Sequence, residues 1–412
     1  MSVPEEDRES PVIPISWAVA ALLLVLPWIC ARLLGIHPDD VTTVVMAGLS
    51  IVGAAFILSW AAELAQLEMS PALATVFLAL VAVLPEYAID LYYAWDAGKA
   101  LAVWNGAPPV PEALGLPMAN MTGANRLLIG MGWTMVVFIH CWRAKKHDLS
   151  LQGFIELDHT YLIAATLYSF VIAWKGSLSM LDCVIYVAMF AMYVRQAMRQ
   201  PTEEPHLEGP AAMVGLMARG PRRVVNAVMF AFAGFAVFLA AEPFAEGLKH
   251  IGERFNIETF LLVQWLAPLA SESPEFIVAA LFAWRMHARM GFGALVSSKV
   301  NQWTLLVGMI PLATWIASSG HLAMPLDERQ REELMLTAAQ SVFAVAVLGN
   351  LRMSLWEALA VLVLFVLQLF MPTTQMRWVF SIVYVVLAVV VLASRREYLP
   401  GIRDNFVRFF RL

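Results

Sequence analysis

Charge is scarce in this 412-residue chain: Asp, Glu, Lys and Arg make up 14% of it, against about 25% in an ordinary soluble domain. Cysteine is scarcer still. Cys30, Cys141 and Cys183 fall in or beside apolar runs without ligand spacing, so they read as small buried hydrophobes and not as bridges or metal ligands. Basic excess is missing: the formal net charge is -5, which excludes the electrostatic footprint of a nucleic-acid binder. The first ten residues, MSVPEEDRES, lack the basic start of a secretory signal, so the first apolar run is expected to remain as a span. The eight histidines are scattered and form no zinc-type pair, and no Ser-His-Asp arrangement is visible. A membrane-embedded enzyme is disfavoured on those grounds. What is abundant is apolar: 60% of the residues are hydrophobic and the mean hydropathy is +0.70. With about 20 residues per helical span, the length accommodates roughly a dozen spans joined by short loops.

Twelve apolar segments are expected, over 12–34, 41–65, 71–95, 116–140, 156–175, 178–196, 222–247, 257–284, 292–317, 334–349, 353–370 and 375–393. They carry no long two-residue alternation, so a barrel is disfavoured and an all-α polytopic membrane protein is predicted. Basic residues follow alternate segments: Arg143, Lys145 and Lys146, then Arg195, Arg199, Arg219, Arg222 and Arg223, then Arg285 and Arg289, then Arg352, then the tail from Arg395 to Arg411. With twelve spans they all fall on one face. That face is expected to be cytoplasmic, with both termini inside a plasma (inner) membrane. The stretch 197–221 is rich in Pro, Gly and mixed charge and reads as a solvated linker between two halves.

The halves share a pattern. The third segment contains Pro85-Glu86 and ends in Ala94-Trp95; the eighth contains Pro274-Glu275 and ends in Ala283-Trp284. Each is followed by a run of small and polar residues, from Met118 and from Ala294. Five segments separate the two copies, and an odd offset makes the second cross the membrane in the opposite sense. This is the inverted-repeat plan of many secondary transporters. The expected organisation is an N-terminal extra helix within 1–40, a first repeat over 41–196, the linker 197–221, a second repeat over 222–370, and a final helix with a basic tail over 371–412.

Glu86 and Glu275 stand near the middle of apolar segments, where a charged side chain costs about 2.5–3.5 kcal/mol on insertion scales. Matched placement points to a cation or proton site. Pro85 and Pro274 each remove a backbone N–H, so a break or kink is expected just before each glutamate, with freed carbonyls beside the carboxylates. Asp90 and Glu272 lie one turn from Glu86 and Glu275 and share their helix faces. Four acids near one depth need bound cations, protons or partners. Asn120, Asn125, Ser271, Ser298 and Gln302 offer neutral oxygens of the kind Na+ or Ca2+ takes. Arg126 and Lys299 lie in the same runs. Each is read either as a structural salt bridge or as a resident charge in the place of a metal ion.

These paired Pro-Glu helices and the small-polar runs after them resemble the sodium/calcium exchanger (cation/Ca2+ antiporter) superfamily over roughly residues 41 to 370. The resemblance implies antiport of Ca2+ or a related cation against Na+ or H+ by alternating access, with Glu86 and Glu275 as the central cation ligands. It implies no enzyme activity and no cofactor; the ligands are the transported cations themselves, and the other partner is the lipid bilayer. Asn120 matches the first Asn of the family's second motif, and Gly123, Ala124 and Asn125 match its Gly-Ser-Asn. Ser297, Ser298 and Lys299 stand at the same place in the second repeat, and Gln302 at its final polar position. Ala82 and Val83 stand where the family has Thr and Ser. These departures, with the extra acids Asp90 and Glu272, imply a divergent exchanger with fewer ion sites or a proton as coupling ion. A cation/proton exchanger that does not carry Ca2+ is the alternative, and a passive cation channel stands further off.

Overall fold

The computed structural model describes residues 12–68, 83–107, 110–199, 207, 209–371 and 373–410. In chain order the helices are α1 (Val12–Leu33), α2 (Asp40–Gln66), α3 (Leu84–Val103), α4 (Leu116–Leu127), α5 (Thr134–Ala144), α6 (Glu156–Lys175), α7 (Met180–Ala197), α8 (Gly209–Gly215), α9 (Arg219–Phe255), α10 (Thr259–Trp284), α11 (Ala288–Asn301), α12 (Val307–Ala317), α13 (Glu328–Val347), α14 (Leu355–Phe370), α15 (Thr374–Ser394) and α16 (Leu399–Phe410). A π-helical turn, Leu128–Trp133, joins α4 to α5, and another, Gln302–Leu306, joins α11 to α12. Among the described residues nine helices are long and apolar enough to cross a membrane. The protein is thus a largely helical, multi-pass membrane protein.

Several boundaries depart from the expected ones. The third segment, expected over 71–95, is helical over Leu84–Val103; its first part, up to residue 82, lies outside the described residues, as does Ala82. The helix continues past Trp95 because Asp96 and Lys99 pair one turn apart at 3.3 Å. Gly98 also lets the helix approach α12 closely: a Cβ there would stand 2.6 Å from that of Ala317. The tenth segment, expected over 334–349, begins at Glu328, where Asp327 caps the helix by accepting the Gln330 N–H at 2.7 Å. The helix expected over 222–247 runs from Arg219 to Phe255, and the linker region contains the short helix α8.

The expected break before Glu275 is not seen. Helix α10 runs unbroken through Pro268 and Pro274. Proline at 274 leaves the Ala270 carbonyl without its intrahelical donor, and the Ser273 hydroxyl approaches that oxygen at 3.4 Å. Proline at 268 does the same to the Gln264 carbonyl, and there α4 closes in: a Cβ on Gly123 would stand 1.7 Å from that oxygen. Only a residue without a Cβ permits this approach. Gly123→Ala is therefore expected to lower stability by about 1–3 kcal/mol or more through overpacking against backbone. Gly234→Ala, whose Cβ would meet nothing within 4 Å, is the control. Thermal melts of the detergent-purified variants check it, and equal melting points would contradict the close packing. In α3, Pro85 falls in the first turn, where its missing N–H is one the helix would leave unused.

The chain forms two compact units: residues 12–89 with 198–257, and 90–197 with 258–410. In the first unit α2 packs along α9 and against α1 around Val25, Ala54, Trp60, Leu64, Ala236 and Val237. Gly53 brings α2 onto α1, since a Cβ would stand 2.6 Å from the Ala21 carbonyl oxygen. Just beyond α2, Glu68 pairs with Arg222 and with Arg223, and these guanidiniums, Arg222 foremost, hold its carboxyl below the usual range.

The second unit is clipped by two antiparallel strand pairs. Strand β1 (Asp148–Ser150) leads into α6 and β2 (Ser177–Ser179) follows it; β3 (Ala323–Pro325) leads into α13 and β4 (Arg352–Ser354) follows it. β1 pairs with β4, and β2 with β3. A strand before one helix is thus bound to the strand after the other, at both ends, so α6 and α13 run antiparallel. Ser354 and Glu357 close a capping box that starts α14.

Candidate functional site

Glu86 lies in the first turn of α3 and is 2% exposed; Asp90 follows one turn later on the same helix and is 1% exposed. The remaining sequence-predicted site residues belong with Asp90 to the second unit, apart from Pro85. There α3, α4, α10, α11 and the π turn after α11 bring acids and neutral donors together in pairs. Asn120 Nδ2 donates to Asp90 Oδ1 at 3.3 Å. Gln302 Nε2 donates to Glu272 Oε1 at 3.1 Å. Ser298 Oγ donates to Glu275 Oε2 at 2.9 Å. Ser298 and Gln302 are four residues apart and so share one face, and that face meets the two acids of α10. Glu272 is buried, whereas Glu275, immediately after the buried Pro274, is half-buried.

Asp90, Glu272 and Glu275 thus each meet an amide or hydroxyl. Among the described residues, no group of three or more His, Cys, Asp or Glu is placed to hold a metal ion. An arrangement of separate carboxylates with neutral hydrogen-bonding partners suits a cargo that arrives and leaves. Ser271 does not join it through its hydroxyl, which bonds back to the Ala267 carbonyl at 3.1 Å.

The two basic residues go different ways. Arg126 donates to Glu333 on α13 at 2.6 Å, and its guanidinium stacks over Trp265 at 5.0 Å. Gln264 also donates to Glu333, at 3.0 Å, and Arg377 on α15 pairs with the adjacent Glu332 at 2.8 Å. Lys299 is fully buried. Its ammonium donates to the Asn125 backbone carbonyl at 3.1 Å and to the Asn125 Oδ1 at 3.0 Å, and it faces the Trp303 ring at 4.9 Å. Asn125 and Lys299 are 174 residues apart, and the two π turns begin with the same offset, at Leu128 and Gln302.

Sequence reasoning missed Glu332, Glu333, Gln264 and Arg377. The first two fall just before the expected segment 334–349, although Glu333, Thr337 and Gln340 recur at helical spacing into it. It also missed Tyr193 on α7, whose hydroxyl donates to Asp158 Oδ1 at 2.6 Å and shares a 2.7 Å hydrogen bond with Ser297 Oγ.

A multi-pass helical protein whose buried acids meet neutral donors on neighbouring membrane helices is a transporter by class. The chain belongs to the sodium/calcium exchanger protein family, whose model matches residues 41–198 and again 225–393. It is accordingly a secondary active cation antiporter and not an enzyme. The crystal structure of the H+/Ca2+ exchanger CAX is 39% identical, with a TM-score of 0.90 over 97% of this chain and 99% of that one. The Ca2+/H+ antiporter protein YfkE is 13% identical, with a TM-score of 0.62 over 86% of this chain and 99% of the other. The sodium-calcium exchanger NCX_Mj is 14% identical, with a TM-score of 0.51 over 87% and 98%. The likeness to these last two is one of fold. A comparison with curated proteins found no match.

Proposed function

We propose that the chain exchanges Ca2+ for H+ across a plasma (inner) membrane by alternating access. The observation that carries this reading is the 39% identity to the H+/Ca2+ exchanger CAX across nearly the whole chain. The placement of acids supports it. Glu86, Asp90, Glu272 and Glu275 are carboxylates in a membrane core, where an isolated charge is costly. A divalent cation offsets two of them; two protons do so equally. Each ion therefore stabilises the same groups, and occupancy by one excludes the other. Glu86 and Glu275 are the central ligands in this reading. Asp90 and Glu272 supply further charge, Asn120, Ser298 and Gln302 hold the acids and contribute neutral oxygens, and Asn125 turns its own oxygen to Lys299. Ser271 and Pro274 shape α10 beside its two acids, the Ser271 hydroxyl bonding back to the Ala267 carbonyl, and Pro85 starts α3 immediately before Glu86.

The organisation in this reading is two inverted five-helix repeats, over 41–196 and 222–370, joined by the linker 197–221. One extra helix at each end brings the spans to twelve, with both termini cytoplasmic. The antiparallel α6 and α13, clipped by strands at corresponding places, support inversion, as do the matched π turns.

Purified protein in sealed proteoliposomes, with pH, Na+ and K+ gradients imposed one at a time, tests the assignment. Vesicles acid inside are expected to take up Ca2+ as protons leave. Uptake of no cation under any gradient would sink the exchanger reading, and uptake driven by Na+ alone would sink proton coupling.

A further inference from the structure

The buried ammonium of Lys299 has a cation's surroundings. Two of its contacts are neutral oxygens of one residue, the carbonyl and the amide Oδ1 of Asn125, at 3.1 and 3.0 Å. A third is the face of Trp303, which attracts a cation through its ring quadrupole. Asn125 itself is held by its own helix, its Nδ2 donating to the Met121 carbonyl at 2.9 Å. That bond fixes the amide with its oxygen toward the lysine. Gln302, three residues after Lys299, donates to the Oε1 of the buried Glu272. Carbonyl and amide oxygens beside a carboxylate are the donor set a desolvated alkali cation takes. Lys299 fills it from within the chain.

The position strengthens the point. Asn125 and Lys299 occupy corresponding places in the two halves, since the π turn that follows each begins three residues later. The two halves therefore meet residue for residue at this contact. An asparagine at 299 would put two facing amides there, with oxygens available to a cation and no fixed charge.

We infer that Lys299 is a resident cation that bars Na+ from this oxygen cage. The inference rests on the antiport reading of the same site. A positive charge tethered in the cage repels any monovalent ion that approaches the same oxygens, and the tether keeps it there through every cycle. Its substitution exposes a latent Na+ site.

Thermal melts of the detergent-purified full chain test this without transport. Wild type, Lys299→Asn and Lys299→Gln are compared in NaCl and in choline chloride at equal ionic strength. Na+ is expected to raise the melting temperature of at least one variant in a saturable way and to leave the wild type unmoved, because a ligand that binds only the folded form stabilises it. In proteoliposomes the same variant is expected to show Ca2+ uptake at least about tenfold more sensitive to Na+ than the wild type, as a newly available competing ion dictates. Folded variants whose melting temperature ignores Na+ would overturn the inference. So would a wild type that responds to Na+, or failure of both variants to fold even in high Na+, which would make Lys299 a structural strut. A wild type that moves no Ca2+ would overturn the antiport reading separately and leave the melting comparison to decide the cage.

Discussion

Glu275→Gln is expected to cut pH-driven Ca2+ uptake by at least about a hundredfold while the protein still folds. The two halves of that statement have different causes. Glutamine matches glutamate in size, and its Oε1 accepts from Ser298 Oγ as the carboxylate does at 2.9 Å, so the packing around Pro274 need not change. Glu275 is also half-buried, which leaves the new amide room for its donors. What is lost is one unit of negative charge beside the cargo. A pair of unit charges about 4 Å apart is worth about 4 kcal/mol at an effective dielectric of 20. A divalent ion doubles that, and partial compensation by water halves it again. Even about 3 kcal/mol is a factor above a hundred. The glutamine also cannot release or take up a proton, so the return half of the cycle fails with the first. Glu86→Gln is expected to behave alike. Initial rates in proteoliposomes, with gel filtration and melting as controls for folding, check both. A Glu275→Gln variant transporting within about threefold of the wild type, less than 1 kcal/mol, would remove Glu275 from the ion path.

Hydropathy makes some elements legible and hides others for definite reasons. The expected segment 156–175 coincides with α6, Glu156–Lys175. Its ends carry their own signals: acids in the first turn, and Gly176 in a left-handed conformation as a stop. The sixth, eighth and twelfth segments fall within two residues of α7, α10 and α15. Charges marked span ends incorrectly wherever the chain itself pairs them. Asp96 and Lys99 looked like a loop and instead bond along α3. Glu332 and Glu333 fall just outside the expected segment 334–349, yet both are buried in α13. Their partners Arg377 and Arg126 lie 45 and 207 residues away, and one-dimensional patterning carries no such information. Proline misled in another way: a missing N–H predicts a kink only if nothing else occupies the freed carbonyl, and at Ala270 and Gln264 Ser273 and Gly123 do. The matched Pro-Glu pairs and the polar runs after them were visible because their spacing repeats. The pairing of each acid with a particular donor was not, because it depends on which face of α11 turns toward α10.

Glu333→Ala is expected to be the most destabilising single change in the second unit, by about 3–5 kcal/mol, the range for breaking a buried ion pair from one side. Glu333 is 3% exposed and so is Arg126. The carboxylate accepts from Arg126 at 2.6 Å and from Gln264 at 3.0 Å, and Arg377 lies 3.7 Å from its other oxygen. Alanine removes both acceptances and the ion-pair contact together. Arg377 keeps Glu332 at 2.8 Å, but among the described residues Arg126 keeps the Trp265 face and the Thr122 carbonyl at 3.3 Å, which leave a full charge uncompensated in the membrane core. Glu333→Gln retains an acceptor without the charge and is expected to fall between alanine and wild type. The sharper test is the double replacement Arg126→Met with Glu333→Leu. Burying two apolar side chains of similar volume in place of the pair is often neutral or stabilising, so the double variant is expected to melt above Glu333→Ala. With about 2 °C or more per kcal/mol in a large chain, the single variant should lose roughly 10 °C in apparent melting temperature, followed by the fluorescence of the 14 tryptophans. A double variant that melts no higher than the single would mean that Glu333 acts through Gln264 and Arg377 and not through Arg126. A single variant that melts with the wild type would mean that the pair is not buried in the membrane at all.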